Sequence, residues 1–172
     1  MDHNYEEGFR REEFLSNVNL IVNKVYQSIS HLELNDVRHY LSDEIYHNIS
    51  HEIEKYKDDG KRLVYDEVNV QSQITNAYQD SDYYYIEVKS DCKYLKYFIL
   101  DGGVIEGNNT SRVEVPLRVL FQKRKDATSQ DITRCSGCGT TLNIHHSGKC
   151  PNCGRIYDYY QYDYIIVKVD TL

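Results

Sequence analysis

Apolar residues recur every three or four positions over the first third of the chain and every second position over much of the remainder. Phe14, Val18, Ile21, Val22, Val25, Ile29 and Leu32 mark one face of a long helix that begins near Phe9, and Glu12 and Glu13 suit the positive end of its dipole. Residues 1–8 are polar and are expected to fray. Asn35 and Asp36 cap a short second helix that runs to about Leu41. Ser42-Asp43-Glu44 caps a third, in which Ile45, Ile49 and Ile53 sit four apart beside Tyr46 and Tyr56 before Asp58-Asp59-Gly60 stops it.

Beyond Gly60 the period shortens to two. Val68, Val70 and Ile74 alternate with polar residues, as do Tyr84, Ile86, Val88, Cys92 and Tyr94, and the apolar run Leu95 to Leu100 reaches Asp101-Gly102-Gly103. That sequence reads as a turn between strands. Gly102, Gly103 and Gly107 punctuate a hairpin and do not cradle a phosphate, because no helix start and no Lys-Ser/Thr ending follows them. Val113, Val115, Leu117, Val119 and Phe121 form the clearest strand, with Pro116 pointing to an edge or a bulge. Lys123-Arg124-Lys125 reads as a solvated strand end, and residues 163–169 give a final strand. The expected fold is α+β: three N-terminal helices packed on a curved antiparallel sheet, forming a cone-like pocket lined by Val, Ile, Leu and Tyr.

Two Cys-x-x-Cys-Gly units interrupt that alternation, Cys135-Ser-Gly-Cys138-Gly139 and Cys150-Pro-Asn-Cys153-Gly154. Each turn lets two thiolates reach one ion, and two turns complete a closed tetrahedral zinc site of Cys135, Cys138, Cys150 and Cys153 with no position open to substrate. Glycine after each pair can take positive φ and aim backbone N–H groups at the sulfurs. A redox dithiol fits less well, since such motifs open a helix and glycine starts one poorly. A disulfide pair would want a secretory leader, which Met-Asp-His-Asn-Tyr-Glu-Glu does not resemble. His145 and His146 lie between the pairs as solvent-facing hairpin residues. A zinc ribbon over 132–156 is thus expected as an insertion before the last strand, the remaining domain being 9–131 plus 157–172. Its metal would be one structural zinc ion.

Composition narrows the function. The 172 residues carry a net charge of −7, which argues against nucleic acid or an anionic membrane as the main partner. No apolar run approaches a membrane span, and a reducing, cytoplasmic setting is expected, where Cys92 is a small buried thiol. Seventeen tyrosines and no tryptophan suggest a tyrosine-rich sheet, whose open face would suit a homodimer. His47 and His51 sit four apart, but Asn-Ile-Ser lies between them and no third ligand is evident.

The cysteine ribbon, the closing Asp163-Tyr164-Ile165-Ile166, and Phe14, Asn35 to Ser42 and Val104-Ile105-Glu106-Gly107 upstream together resemble the translocase-of-inner-membrane subunit 44-like domain in its bacterial, zinc-ribbon-containing form. The resemblance implies a nuclear-transport-factor 2-like, cystatin-like fold. It also implies a binding or docking module associated with protein transport or a membrane surface, and not a catalyst.

The expected function is therefore a non-enzymatic module that binds an apolar ligand, a peptide or a partner protein in its pocket, with zinc stiffening the rim. Peripheral membrane contact is compatible with it. One alternative is a small isomerase- or dehydratase-like enzyme using His39, Asp66 or Glu87, although alternation puts Glu87 on the face opposite Ile86 and Val88. Another is a nucleic-acid adaptor, for which Arg134, Lys149 and Arg155 supply local positive charge and Tyr157, Tyr159 and Tyr160 supply stacking rings.

Overall fold

The computed structural model describes residues 4–126, 138, 140, 150–155 and 164–172. Helix α1 (Arg11–Ser30) buries Phe14, Val18 and Val22, the stripe expected from the spacing. The Ser30 hydroxyl donates to the Tyr26 carbonyl (3.0 Å) and accepts the Tyr65 N–H (2.8 Å), which fixes the end of the helix to the sheet. Residues 4–8 do not fray as the polar composition suggested. Tyr5 stacks on Phe9 at 4.4 Å and Glu6 pairs with Lys123, so aromatic and ionic contacts hold what backbone pattern alone did not reveal.

The expected second helix is a single 3-10 turn, Arg38–Tyr40. Too few residues separate Asp36 from the next cap for an α-helix to propagate, and Leu41 is already extended, bridging to Ile166 while the Ser42 N–H donates to the Ile166 carbonyl (2.9 Å). Two α-helices therefore stand where three were expected. Helix α2 (Asp43–Asp58) starts at Ser42, whose hydroxyl accepts the Ile45 N–H at 3.3 Å, and gives way to Gly60 at φ +68°. Ile53 is its one fully buried residue, with Ile45, Tyr46 and Ile49 packed against the core beside it.

Four antiparallel strands follow in the order β1 (Arg62–Gln79), β2 (Tyr83–Leu100), β3 (Gly103–Arg124) and β4 (Ile165–Thr171). Asp101 and Gly102, both at positive φ, close the β2–β3 hairpin as a two-residue loop. Gly107 lies within β3 at φ +87°, where a Cβ would stand 2.4 Å from the Lys96 carbonyl oxygen. Pro116 sits where β4 ends: its carbonyl accepts the Leu172 N–H (2.9 Å), and its ring nitrogen faces the same side, just past the last β3–β4 pair. Residues 125–164 connect β3 to β4, and those two strands pair directly.

On the helix side of the sheet, Ile86, Val88, Cys92, Val119 and Phe121 are almost fully buried against α1. Tyr26, Tyr65 and Tyr94 meet within the same core at centroid distances of 4.7–5.0 Å, and burial raises all three phenol pKa values. The other face alternates charge: Lys89 pairs with Asp91, Lys93 with Glu114 and Lys168 with Asp170. The expected tyrosine-rich open face is thus a charged one. Several tyrosines turn inward, and Tyr78, Tyr83 and Tyr85 gather at the β1–β2 turn.

Candidate metal centre

The Sγ atoms of Cys138, Cys150 and Cys153 lie within 4.8 Å of one another. Cys135 is outside the described residues, as are Gly139, His145 and His146. Around Cys150 the local geometry follows from the Cys-Pro-Asn-Cys-Gly sequence. The Cys153 N–H donates to the Cys150 sulfur at 3.5 Å, the Gly154 N–H donates to the Cys150 carbonyl at 2.9 Å, and the Cys150 N–H donates to the Arg155 carbonyl at 2.7 Å. Gly154 takes φ +76°, as anticipated for a glycine that follows the second thiol. The turn therefore presents two sulfurs on one side while its backbone is satisfied internally.

Cys138 and Cys150 sulfurs stand 3.6 Å apart. Four thiolates about 2.3 Å from one ion at tetrahedral corners are about 3.8 Å from each other, so the observed edge fits a shared metal. Cys150 is buried, whereas Cys138 and Cys153 are exposed. The Asn152 amide donates to the Cys138 sulfur at 3.6 Å, and Thr140 Oγ1 lies 3.2 Å from it. Hydrogen bonds from the Thr140 side chain and backbone, and then from Asn152, hold the Cys138 thiol down at about 5, so that it is a thiolate at neutral pH. These two partners were not singled out from sequence. Asn152 carried a faint signal as the amide inside the second Cys-x-x-Cys, and Thr140 carried none.

The remaining candidates do not converge. His39 is buried in the 3-10 turn against Tyr40, Asp66 is exposed at the β1 bulge, and Glu87 lies on the face opposite Ile86 and Val88 as alternation required. His47 and His51 are on α2 without a third ligand among the described residues. Arg155 is exposed, while Arg134, Lys149, Tyr157, Tyr159 and Tyr160 are outside the described residues. Lys123, expected to be solvated, is 8% exposed because Glu6 and the Tyr164 ring enclose it. Two clefts lined by described residues are polar: one of about 410 Å³ at the end of α1, with Lys24, His31, Glu33 and Asp36, and one of about 220 Å³ between Tyr5, Arg11 and β1.

No described helix is long and apolar enough to cross a membrane. No curated protein matches the chain in sequence. The profile of the Tim44-like domain matches residues 3–132, from the N-terminal segment through both helices and the first three strands. With three quarters of its length inside that match, the chain belongs to the Tim44-like domain family.

Proposed function

We propose that this protein is a non-enzymatic docking module of a transport apparatus, working at or near a membrane surface from the cytoplasmic side, with a zinc ribbon over 132–156 set into a helix-on-sheet domain of 9–131 plus 157–172. The observation that carries the ribbon is the convergence of the Cys138, Cys150 and Cys153 sulfurs. Cys135 is the fourth ligand in this reading, since its own Cys-x-x-Cys turn brings it beside Cys138. Zinc there cross-links two turns and neutralises thiolate charge. A site closed by four thiolates has no place for substrate, so the metal is structural and function rests with the surfaces around it.

The docking reading is supported by the family and by the scattered positions of His39, Asp66 and Glu87, which do not make an acid–base pair. Its partner is a protein or peptide, with an apolar small molecule as the alternative ligand. Native mass spectrometry of the full chain, purified from its own cells without added ligand, tests both parts. One zinc per chain together with a retained polypeptide supports the proposal. Absence of zinc removes the ribbon, and a retained metabolite-sized adduct moves the function to small-molecule binding.

A further inference from the structure

The N-terminal segment crosses the end of the sheet at the roots of the insertion, where β3 leaves and β4 returns. Tyr5 and Phe9 stack with ring planes 8° apart, and Phe9 meets Phe14 at 5.3 Å and Tyr164 at 6.3 Å. The Glu6 carboxylate stands 2.8 Å from Lys123 Nζ, and the same ammonium lies 5.5 Å from the centre of the Tyr164 ring. Phe14 in turn packs edge-on against Phe121 and Tyr164. A buried ammonium met by one carboxylate, beside an aromatic anchor seated among rings, is the makeup of a binding hot spot.

The segment is held in an unusual way. Among the described residues its backbone hydrogen bonds are local: the Phe9 N–H donates to the Glu6 carbonyl at 3.2 Å, and Gly8 at φ +78° completes the bend. No ladder joins it to the sheet, so side chains alone seat it.

We propose that the groove bounded by Phe14, Phe121, Lys123 and Tyr164 is a peptide-docking site for a bent segment carrying a carboxylate three residues ahead of an aromatic ring, and that Tyr5–Phe9 is its resident occupant. The assignment goes beyond the zinc-bearing module and does not depend on metal. Tethering gives the resident an effective concentration in the millimolar range, so a partner peptide must outcompete it or first loosen it. Exchange of occupant would reach both flanks of the β3–β4 connection, because Lys123 is the next-to-last residue of β3 and Tyr164 directly precedes β4.

The test uses the full chain and a fluorescent peptide with the sequence of residues 4–11. Full-length protein carrying Glu6→Gln and Phe9→Ala should bind the peptide saturably in anisotropy titrations, and wild type should bind it at least about tenfold more weakly. A peptide with its first glutamate changed to lysine should lose binding and regain it on chains that also carry Lys123→Glu. Failure of the folded variant to bind, or binding indifferent to the charge exchange, overturns the proposal. Should the double variant not fold, hydrogen exchange on wild type decides: unlabelled peptide should speed exchange at Phe9 and leave α1 unchanged, and no change at Phe9 overturns it. Self-association of wild type that Phe9→Ala abolishes would make the occupant a second copy's segment and likewise overturn the assignment to a separate peptide.

Discussion

Gly107 and Gly102 both take positive φ, yet their surroundings differ. A Cβ at Gly107 would stand 2.8 Å from the Tyr97 Cα as well as against the Lys96 carbonyl, whereas nothing lies within 4 Å of one at Gly102. Gly107→Ala should therefore lose roughly 2–4 kcal/mol from strain and forced displacement together, and Gly102→Ala only about 1 kcal/mol from strain. Urea unfolding of the two variants checks the order. At the thiols the contrast is between metal and fold. Cys138→Ser or Cys150→Ser should abolish stoichiometric zinc in native mass spectra while far-UV circular dichroism stays near wild type, because neither side chain is part of the core between α1 and the sheet. A variant that kept its zinc would refute the thiolate assignment.

Helix α2 shows how an element with little burial depends on its ends. Ile53 is its one fully buried side chain, and Ser42 supplies the cap. Ile53→Ala should cost about 2–4 kcal/mol and Ser42→Ala about 1 kcal/mol, both measurable as shifts in the urea midpoint. The cap and the spacing of Ile45, Ile49 and Ile53 made this helix legible in the sequence, as the seven-residue apolar stripe did for α1. The intervening 3-10 turn was not legible, since Asn35-Asp36 offers a cap whether or not a helix has room to grow. The contact that decided it, Leu41 with Ile166, spans most of the chain. The same limit hid Lys123, whose partners Glu6 and Tyr164 lie far away in sequence, and it hid the ordering of residues 4–8. Strand alternation named the buried face of β2 and β3 correctly. It could not tell that tyrosines would collect inside and charges outside, because a tyrosine ring suits either side of a half-covered sheet.

At the scale of the molecule, the phenols of Tyr26, Tyr65 and Tyr94 share one interior, and Cys92 beside them is pushed up to about 11 by burial. Each group has a higher pKa in the folded chain than in the unfolded one, so the unfolded state releases protons first as pH rises. The stability is fully present below the ordinary thiol and phenol values of about 8.5 and 10 and is lost above them. Alkaline unfolding should be cooperative, with part of the tyrosinate absorbance appearing only as the circular dichroism signal collapses. Tyrosinate absorbance rising fully before unfolding would contradict the buried placement. The connection between β3 and β4 carries a different consequence. Residues 125–164 separate two strands that lie side by side. Closing so long an excursion is an entropic matter that grows only logarithmically, about 0.6 kcal/mol for each doubling of length. A metal that pinched the excursion at Cys138–Cys153 would return only about 0.4 kcal/mol to the sheet. The scaffold is therefore almost indifferent to what hangs between Arg124 and Ile165, and that junction is a graft point where one appendage can be exchanged for another while β4 still finds its slot.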